Sequence, residues 1–297
     1  MRRAVDALEA LFPAVRKGEI SAPDRTLLMT NKAEPHRQLM TGTASWNARD
    51  IACVKVTTLT PDNPADGREL INGAVIVLDL KSGTPKLMVE GGALTGLRTG
   101  AVAGLAVRHL SGPVKQLALI GAGVQARWAA LSLMQEAEFE TLHLASRGAK
   151  RRDALADWIS ARSRPGQSIK VFESARAAVE GCDLVCTATS AHDAGPVLHR
   201  AWLSRSALCV ALGGANETAC EIDPAWAAQA TLYVEDRREA LSEAGEIRAL
   251  GVAPEQLTEI ADTIEGRSAP CLEGPRLFRS VGSAAMDLAG ALTVLER

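Results

Sequence analysis

The stretch QLALIGAGVQARWAALSLM, residues 116–134, decides the fold. Its apolar run LALI reads as a strand, which passes through Gly121, Gly123 and Ala126 into an Ala-rich helical segment. This is the GxGxxA form of the dinucleotide fingerprint. The first glycine permits the tight turn, the second lets backbone approach a pyrophosphate, and the small third residue lets helix and sheet pack closely. A pyrophosphate is expected on the loop GAGVQA, at Gly121, Gly123, Val124, Gln125 and Ala126. Free N–H groups and the helix dipole favour negative charge there.

Downstream, short apolar runs alternate with longer Ala-rich stretches: TLHLAS (141–146), KVF (170–172), DLVCTAT (183–189), ALCVALGG (207–214) and TLYVED (231–236). Such runs predict a doubly wound α/β domain around a parallel sheet covered on both faces. After TLHLA, where an NAD-binding protein usually sets a carboxylate against the adenosine ribose, stand Ser146 and Arg147, with Lys150, Arg151 and Arg152 beyond. A carboxylate would repel a 2′-phosphate, whereas Ser and Arg bind it, so NADP(H) is favoured and NAD(H) is the alternative. Lys150 to Arg152 read equally well as the solvated start of a helix. Ligands of open sheets lie beyond the carboxyl ends of the strands. Thr187, Ala188 and Thr189 are therefore expected to line the cofactor and GGAN (213–216) to lie near the nicotinamide. EDRRE (235–239) is the third such segment, and plain surface loops are the alternative for all three.

Upstream the pattern differs. CVKVTTL (53–59), AVIVLDL (74–80) and PKLMVE (85–90) predict an antiparallel sheet, the last two flanking a KSGT turn. The change of pattern near Ser111-Gly112-Pro113 marks a domain boundary, and the apolar spacing of SVGSAAMDLAGALTVLER predicts a closing helix. In TGLRTGAVAG (95–104), Arg98 reads as a cation at a helix start, where it opposes the dipole by about 0.3–1 kcal/mol. An anion bound there would reverse that penalty, so Arg98 is either a substrate anchor or half of an ion pair. The small residues around it would let helix and ligand approach closely. Lys55, between Val54 and Val56, lies on the face opposite those valines. It transfers a proton or binds a substrate carboxylate if that face lines a cleft, and is an ordinary polar residue if it faces solvent. Arg25 is equally open.

Composition narrows the partners. The 297 residues are 47% hydrophobic and 23% charged with a formal net charge of −2, which suits a soluble globular protein. Mixed charge gives no footprint for nucleic acid or a membrane surface, and no run nears the roughly 20 apolar residues of a span. A small-molecule substrate and a cytoplasmic location are expected. The six cysteines show no metal-ligand spacing, so no metal is expected and buried reduced thiols are.

GGALTGLRTGAVAG and LALIGAGVQA, together with APDRTLLM, the VKV strand, YVEDRREALSEAGEI and FRSVGSAAMDLAGA, resemble the ornithine cyclodeaminase/mu-crystallin family over nearly the whole chain. The resemblance implies a homodimer of two-domain subunits. Each subunit has a Rossmann domain, 113–280, and a smaller split α+β dimerisation and substrate domain, 1–112 with 281–297. It implies that Arg25 and Arg98 hold a substrate carboxylate, that Lys55 is the active-site lysine, and that Val281 and Gly282 turn close to the nicotinamide. Asn216 is expected at the substrate. True cyclodeaminases place an aspartate where this chain has Ala215, and an alanine can neither transfer a proton nor hold an ammonium. The resemblance therefore points to an NAD(P)H-dependent reductase of cyclic ketimines, giving proline or pipecolate. Ornithine cyclodeamination, alanine dehydrogenation, amino-acid condensation and non-catalytic NADPH binding are its rivals.

Overall fold

The structure, a computed structural model, describes residues 1–29, 37–190, 195–214 and 219–296. In chain order the helices among them are α1 (Arg2–Arg16), α2 (Gly91–Leu110), α3 (Val124–Glu136), α4 (Ala149–Ser160), α5 (Ala175–Val179), α6 (Pro224–Ala227), α7 (Arg237–Glu243), α8 (Gly245–Leu250), α9 (Ile260–Ile264) and α10 (Ala284–Leu295). The chain divides into two compact units, Asp6–Arg98 with Ser283–Arg297, and Met1–Val5 with Thr99–Gly282.

The smaller unit is built on an antiparallel sheet. β1 (Ile20–Ser21) and β2 (Thr26–Met29) both pair with β3 (Gln38–Trp46), which leads through β4 (Ile51–Leu59) and β5 (Ile71–Asp79) to β6 (Pro85–Glu90). The three expected runs are β4, β5 and β6, and KSGT closes the β5–β6 hairpin with Gly83 at φ 71°. The Asp79 carboxylate steadies that turn by accepting from the Lys81 and Ser82 N–H groups, each at 2.9 Å. β3, QLMTGTASW, has no apolar run to announce it, yet it is a nine-residue strand hydrogen-bonded on both sides. Alternation sends Ile51, Cys53, Val75 and Val77 into a core with Leu94 of α2 and Leu288, Ala291 and Leu292 of α10.

The larger unit is an all-parallel sheet. Its strands are β7 (Gln116–Ile120), β8 (Thr141–Ala145), β9 (Ser168–Phe172), β10 (Leu184–Thr187), β11 (Leu208–Ala211), β12 (Thr231–Val234), β13 (Leu257–Glu259) and β14 (Arg276–Arg279). They lie in the order β13-β12-β14-β11-β10-β7-β8-β9. The apolar runs read from the sequence are β7 to β12. β14 escapes that reading because its buried Arg276 and Arg279 interrupt the apolar pattern of a central strand. From β7 the chain winds outward to β9, then returns to β10 on β7's other side. That reversal makes the ends of β7 and β10 the switch point, where such sheets bind ligands.

The main segment of the larger unit starts at Thr99, inside α2, earlier than the change of pattern near residue 113. Gly100 explains this, since a Cβ there would stand 2.5 Å from the Trp128 carbonyl oxygen of α3. A Cβ on Gly104 would strike the Ser132 hydroxyl. Gly100 and Gly104, after Arg98, thus let α2 pack on α3. Among the described residues no helix is long and apolar enough to cross a membrane, and no group of His, Cys, Asp and Glu could hold a metal ion. Cys53, Cys182, Cys186 and Cys209 are buried free thiols, whereas Cys220 is half-buried and Cys271 exposed. Burial pushes the Cys53 and Cys182 thiols up to about 12.

Candidate active site

The glycine loop stands at the switch point of the larger unit. Gly121 follows β7 with φ 126°, a conformation open to glycine, and a Cβ there would collide with the Ala188 carbonyl oxygen after β10. Gly123 is the N-cap of α3, no side chain caps that end, and a Cβ on it would meet nothing within 4 Å. Val124 is exposed, Ala126 is buried against the sheet, and the Gln125 Oε1 is buried with no partner among the described residues. Uncapped amides and open space over Gly123 fit a dinucleotide pyrophosphate. Beside them the Gly121 N–H donates to Ala145 O at 2.9 Å, which sets the β8 end, and so Ser146 and Arg147, next to the loop. Arg147, Lys150 and Arg151 are exposed. Arg152 is buried and paired with Asp153 at 3.0 Å and Glu173 at 3.8 Å, which makes it structural.

Three buried carboxylates brace the strand ends that form the rim around this loop; Glu221 and Glu246 were not singled out in the sequence, whereas Glu235 was, as part of EDRRE. Glu221 accepts from the Thr187 hydroxyl at 2.8 Å, the Thr189 N–H and hydroxyl at 2.8 and 2.7 Å, and the Gly213 N–H at 2.7 Å. Glu246 accepts from the Glu221 N–H and, at 2.9 Å, from the Arg279 Nε, whose Nη2 donates to Gly214 O. Glu235 accepts from the Ser280 hydroxyl and the N–H groups of Val281 and Gly282, the latter at φ 77°. Within EDRRE, Glu235 holds that turn, Asp236 caps α7 and Arg237 donates to Leu257 O. Thr187, Ala188, Thr189, Val281 and Gly282 line up along this rim. Asn216 and Ala215 lie outside the described residues.

In the smaller unit, β4 carries Lys55 on the face that α10 covers, shared with Cys53, and the side chain is 13% exposed. Val56, on the other face, is exposed, so Lys55 is no ordinary solvent-facing lysine. Its Nζ donates to the Thr95 hydroxyl at 2.6 Å and to Asp287 Oδ1 at 3.1 Å. The same oxygen accepts from the Arg98 Nε at 3.2 Å. Burial pulls the Lys55 pKa below the usual lysine value, Asp287 raises it, and Arg98 and Arg25 lower it further. Arg25 is close enough to lower the Lys55 pKa, and a Cβ on Gly42, the β3 residue paired with Lys55, would come within 3.4 Å of the Arg25 Cγ.

Arg98 does not stand at a helix start. α2 begins at Gly91, and Glu90 caps it by accepting from the Gly92 and Ala93 N–H groups, so Arg98 sits about two turns in. The dipole therefore gives no reason for it; Asp287 does. Sequence reading missed Asp287, although a single acid in the apolar run AAMDLAGALTVL was the available signal, because a buried carboxylate needs a partner.

Fold and loop together define a dinucleotide-fold enzyme. The chain belongs to the ornithine cyclodeaminase/mu-crystallin family, whose sequence model matches residues 1–297. It is 31% identical, over 93% of its length and 84% of the relative's, to the Delta(1)-pyrroline-2-carboxylate reductase 1 of Burkholderia multivorans. It is also 31% identical, over 93% of its length and 85% of the relative's, to the Delta(1)-pyrroline-2-carboxylate/Delta(1)-piperideine-2-carboxylate reductase of Azospirillum brasilense. Among solved structures, the Thermococcus litoralis Delta(1)-pyrroline-2-carboxylate reductase in complex with NADH and L-proline matches with a TM-score of 0.90 and 26% identity, covering 99% of this chain and 91% of that one.

Proposed function

We propose that the chain is an NAD(P)H-dependent reductase of cyclic imino acids, acting on 1-pyrroline-2-carboxylate or 1-piperideine-2-carboxylate to give proline or pipecolate. The names of the Burkholderia and Azospirillum relatives and the proline held by the Thermococcus enzyme support this reading. One observation carries it. Arg98 spends its Nε on Asp287, and among the described residues nothing pairs with its two Nη groups. That end of the guanidinium is the fork that binds a carboxylate through two parallel hydrogen bonds, and the Lys55 ammonium shares its Asp287 oxygen.

A reduced nicotinamide bound at the glycine loop supplies the hydride. Arg98 and Arg25 hold the substrate carboxylate and so fix the imine carbon. Lys55 keeps the imine nitrogen protonated, which makes that carbon electrophilic. Thr187, Ala188 and Thr189 line the cofactor, Val281 and Gly282 turn beside the nicotinamide, and Asn216 meets the substrate. Exposed Arg147 beside Ser146 favours a 2′-phosphate, hence NADP(H) over NAD(H). Residues 1–112 and 281–297 form the substrate and dimerisation domain, and residues 113–280 the cofactor domain.

The test is a spectrophotometric screen of NADPH and NADH oxidation against five- and six-membered cyclic imino acids, pyruvate with ammonia, and ornithine with NAD. Turnover of the cyclic imines, with the lower KM for NADPH, is expected. Ammonia from ornithine, or tight NADPH binding without any turnover, overturns the reading.

A further inference from the structure

We propose that Asp287 is the positioning residue that keeps Lys55 protonated and aimed, the same carboxylate oxygen also holding Arg98 by its Nε. The inference rests on the reductase reading and assigns a role to a residue outside the expected site. Its geometry is specific. A single oxygen, Oδ1, takes both the Lys55 ammonium at 3.1 Å and the Arg98 Nε at 3.2 Å. Asp287 is 7% exposed on a helix otherwise made of Ala, Met, Leu, Gly, Thr and Val, so its charge is costly unless paired. Gly290, one turn along the same face of α10, makes the approach possible. A Cβ there would stand 3.1 Å from Leu94 Cδ1 and 3.4 Å from the Arg98 Cβ.

The groups facing Lys55 come from every element around it. Arg98 and the Thr95 hydroxyl face it from α2, Arg25 from the segment before β2, Asp287 from α10, and the Cys53 thiol from its own strand. Burial and both guanidiniums drive the proton off Lys55, whereas Asp287 retains it. Retention matters because of the atom balance. Lys55 would give its proton to the imine nitrogen lone pair and regain one from water, and a hydride from a bound reduced nicotinamide would then add to the iminium carbon, leaving the C=N π pair as the amine lone pair. The imine is reduced, the nicotinamide is oxidised, and one proton is consumed. Losing Asp287 lowers the pH at which Lys55 gives up its proton, so the high-pH limb of the rate profile moves toward lower pH.

Asp287→Asn keeps the shape and removes the charge. Its kcat/KM profile is expected to lose activity about one pH unit or more below the wild-type alkaline limb, the shift that one close opposite charge produces. NADPH affinity should stay within about twofold of wild type, since the glycine loop is untouched. A second readout needs no turnover: the 13C NMR titration of the Lys55 Cε, assigned by its loss in Lys55→Met, should shift down by the same amount in cofactor-free protein. A folded Asp287→Asn protein with both midpoints unmoved overturns the proposal. If that variant does not fold, Asp287→Glu decides. It keeps the charge but misplaces the oxygen, so a lowered kcat with an unmoved limb is expected, and an unchanged kcat overturns the positioning role. Wild-type protein that reduces no cyclic imine sinks the reductase reading, while the NMR comparison still judges Asp287.

Discussion

Arg98 shows how far one residue can be read. Its type and place left it open between a substrate anchor and half of an ion pair; the helix start first given as the reason is wrong, because α2 begins at Gly91 and Glu90 caps it. What orients the guanidinium is Asp287, nearly two hundred residues away, and no local pattern joins the two. Lys55 was legible as a strand residue opposite two valines, yet only the covering helix decides that its face is the interior one. If the free Nη fork holds the carboxylate, Arg98→Ala removes charged hydrogen bonds worth about 1.5–3 kcal/mol. The KM for the imino acid should then rise roughly 10- to 150-fold, with NADPH affinity unchanged in calorimetry. An unaltered KM would contradict the role.

At the scale of elements, the strand–glycine–helix unit was the most legible part. Each of its features has a local physical cause: an apolar run, a glycine at φ 126°, a small residue under a helix. β14 and β3 were not legible, because buried arginines in one and glycine with hydroxyl residues in the other break the apolar pattern. Glu221 and Glu246 also went unread, and Glu235 was read only as part of the EDRRE segment, not as a brace. Their partners are backbone N–H groups and side chains on other strands, which sequence order does not reveal. Gly121 affords the sharpest test at this scale. Gly121→Ala puts a methyl into the Ala188 carbonyl oxygen at a backbone angle that side chains rarely adopt. NADPH binding in fluorescence titration should fall at least tenfold, because the loop that carries Gly123 must move. Binding within twofold of wild type would show that the loop does not cradle the cofactor.

For the whole molecule, the family was legible because its blocks run from APDRTLLM to FRSVGSAAMDLAGA, and the match spans residues 1–297. The division of the chain was less so, since α2 belongs to both units and no linker marks the change. The sheet face turned away from α10 carries Leu28, Val56 and Met88, exposed by 56%, 38% and 71%. Apolar residues so placed suit burial against a second copy of the chain, in line with the homodimer expected from the family. Light scattering should give twice the 31.3 kDa chain mass, and a monomer at micromolar concentration would contradict that assembly.

The central claim is that hydride reaches an imine carbon whose carboxylate Arg98 holds. Its most direct measurement follows the label from 4-deuterated NADPH during turnover of 1-pyrroline-2-carboxylate. The account predicts L-proline one mass unit heavier, with deuterium at Cα. Proline without label, or no proline at all, would contradict it.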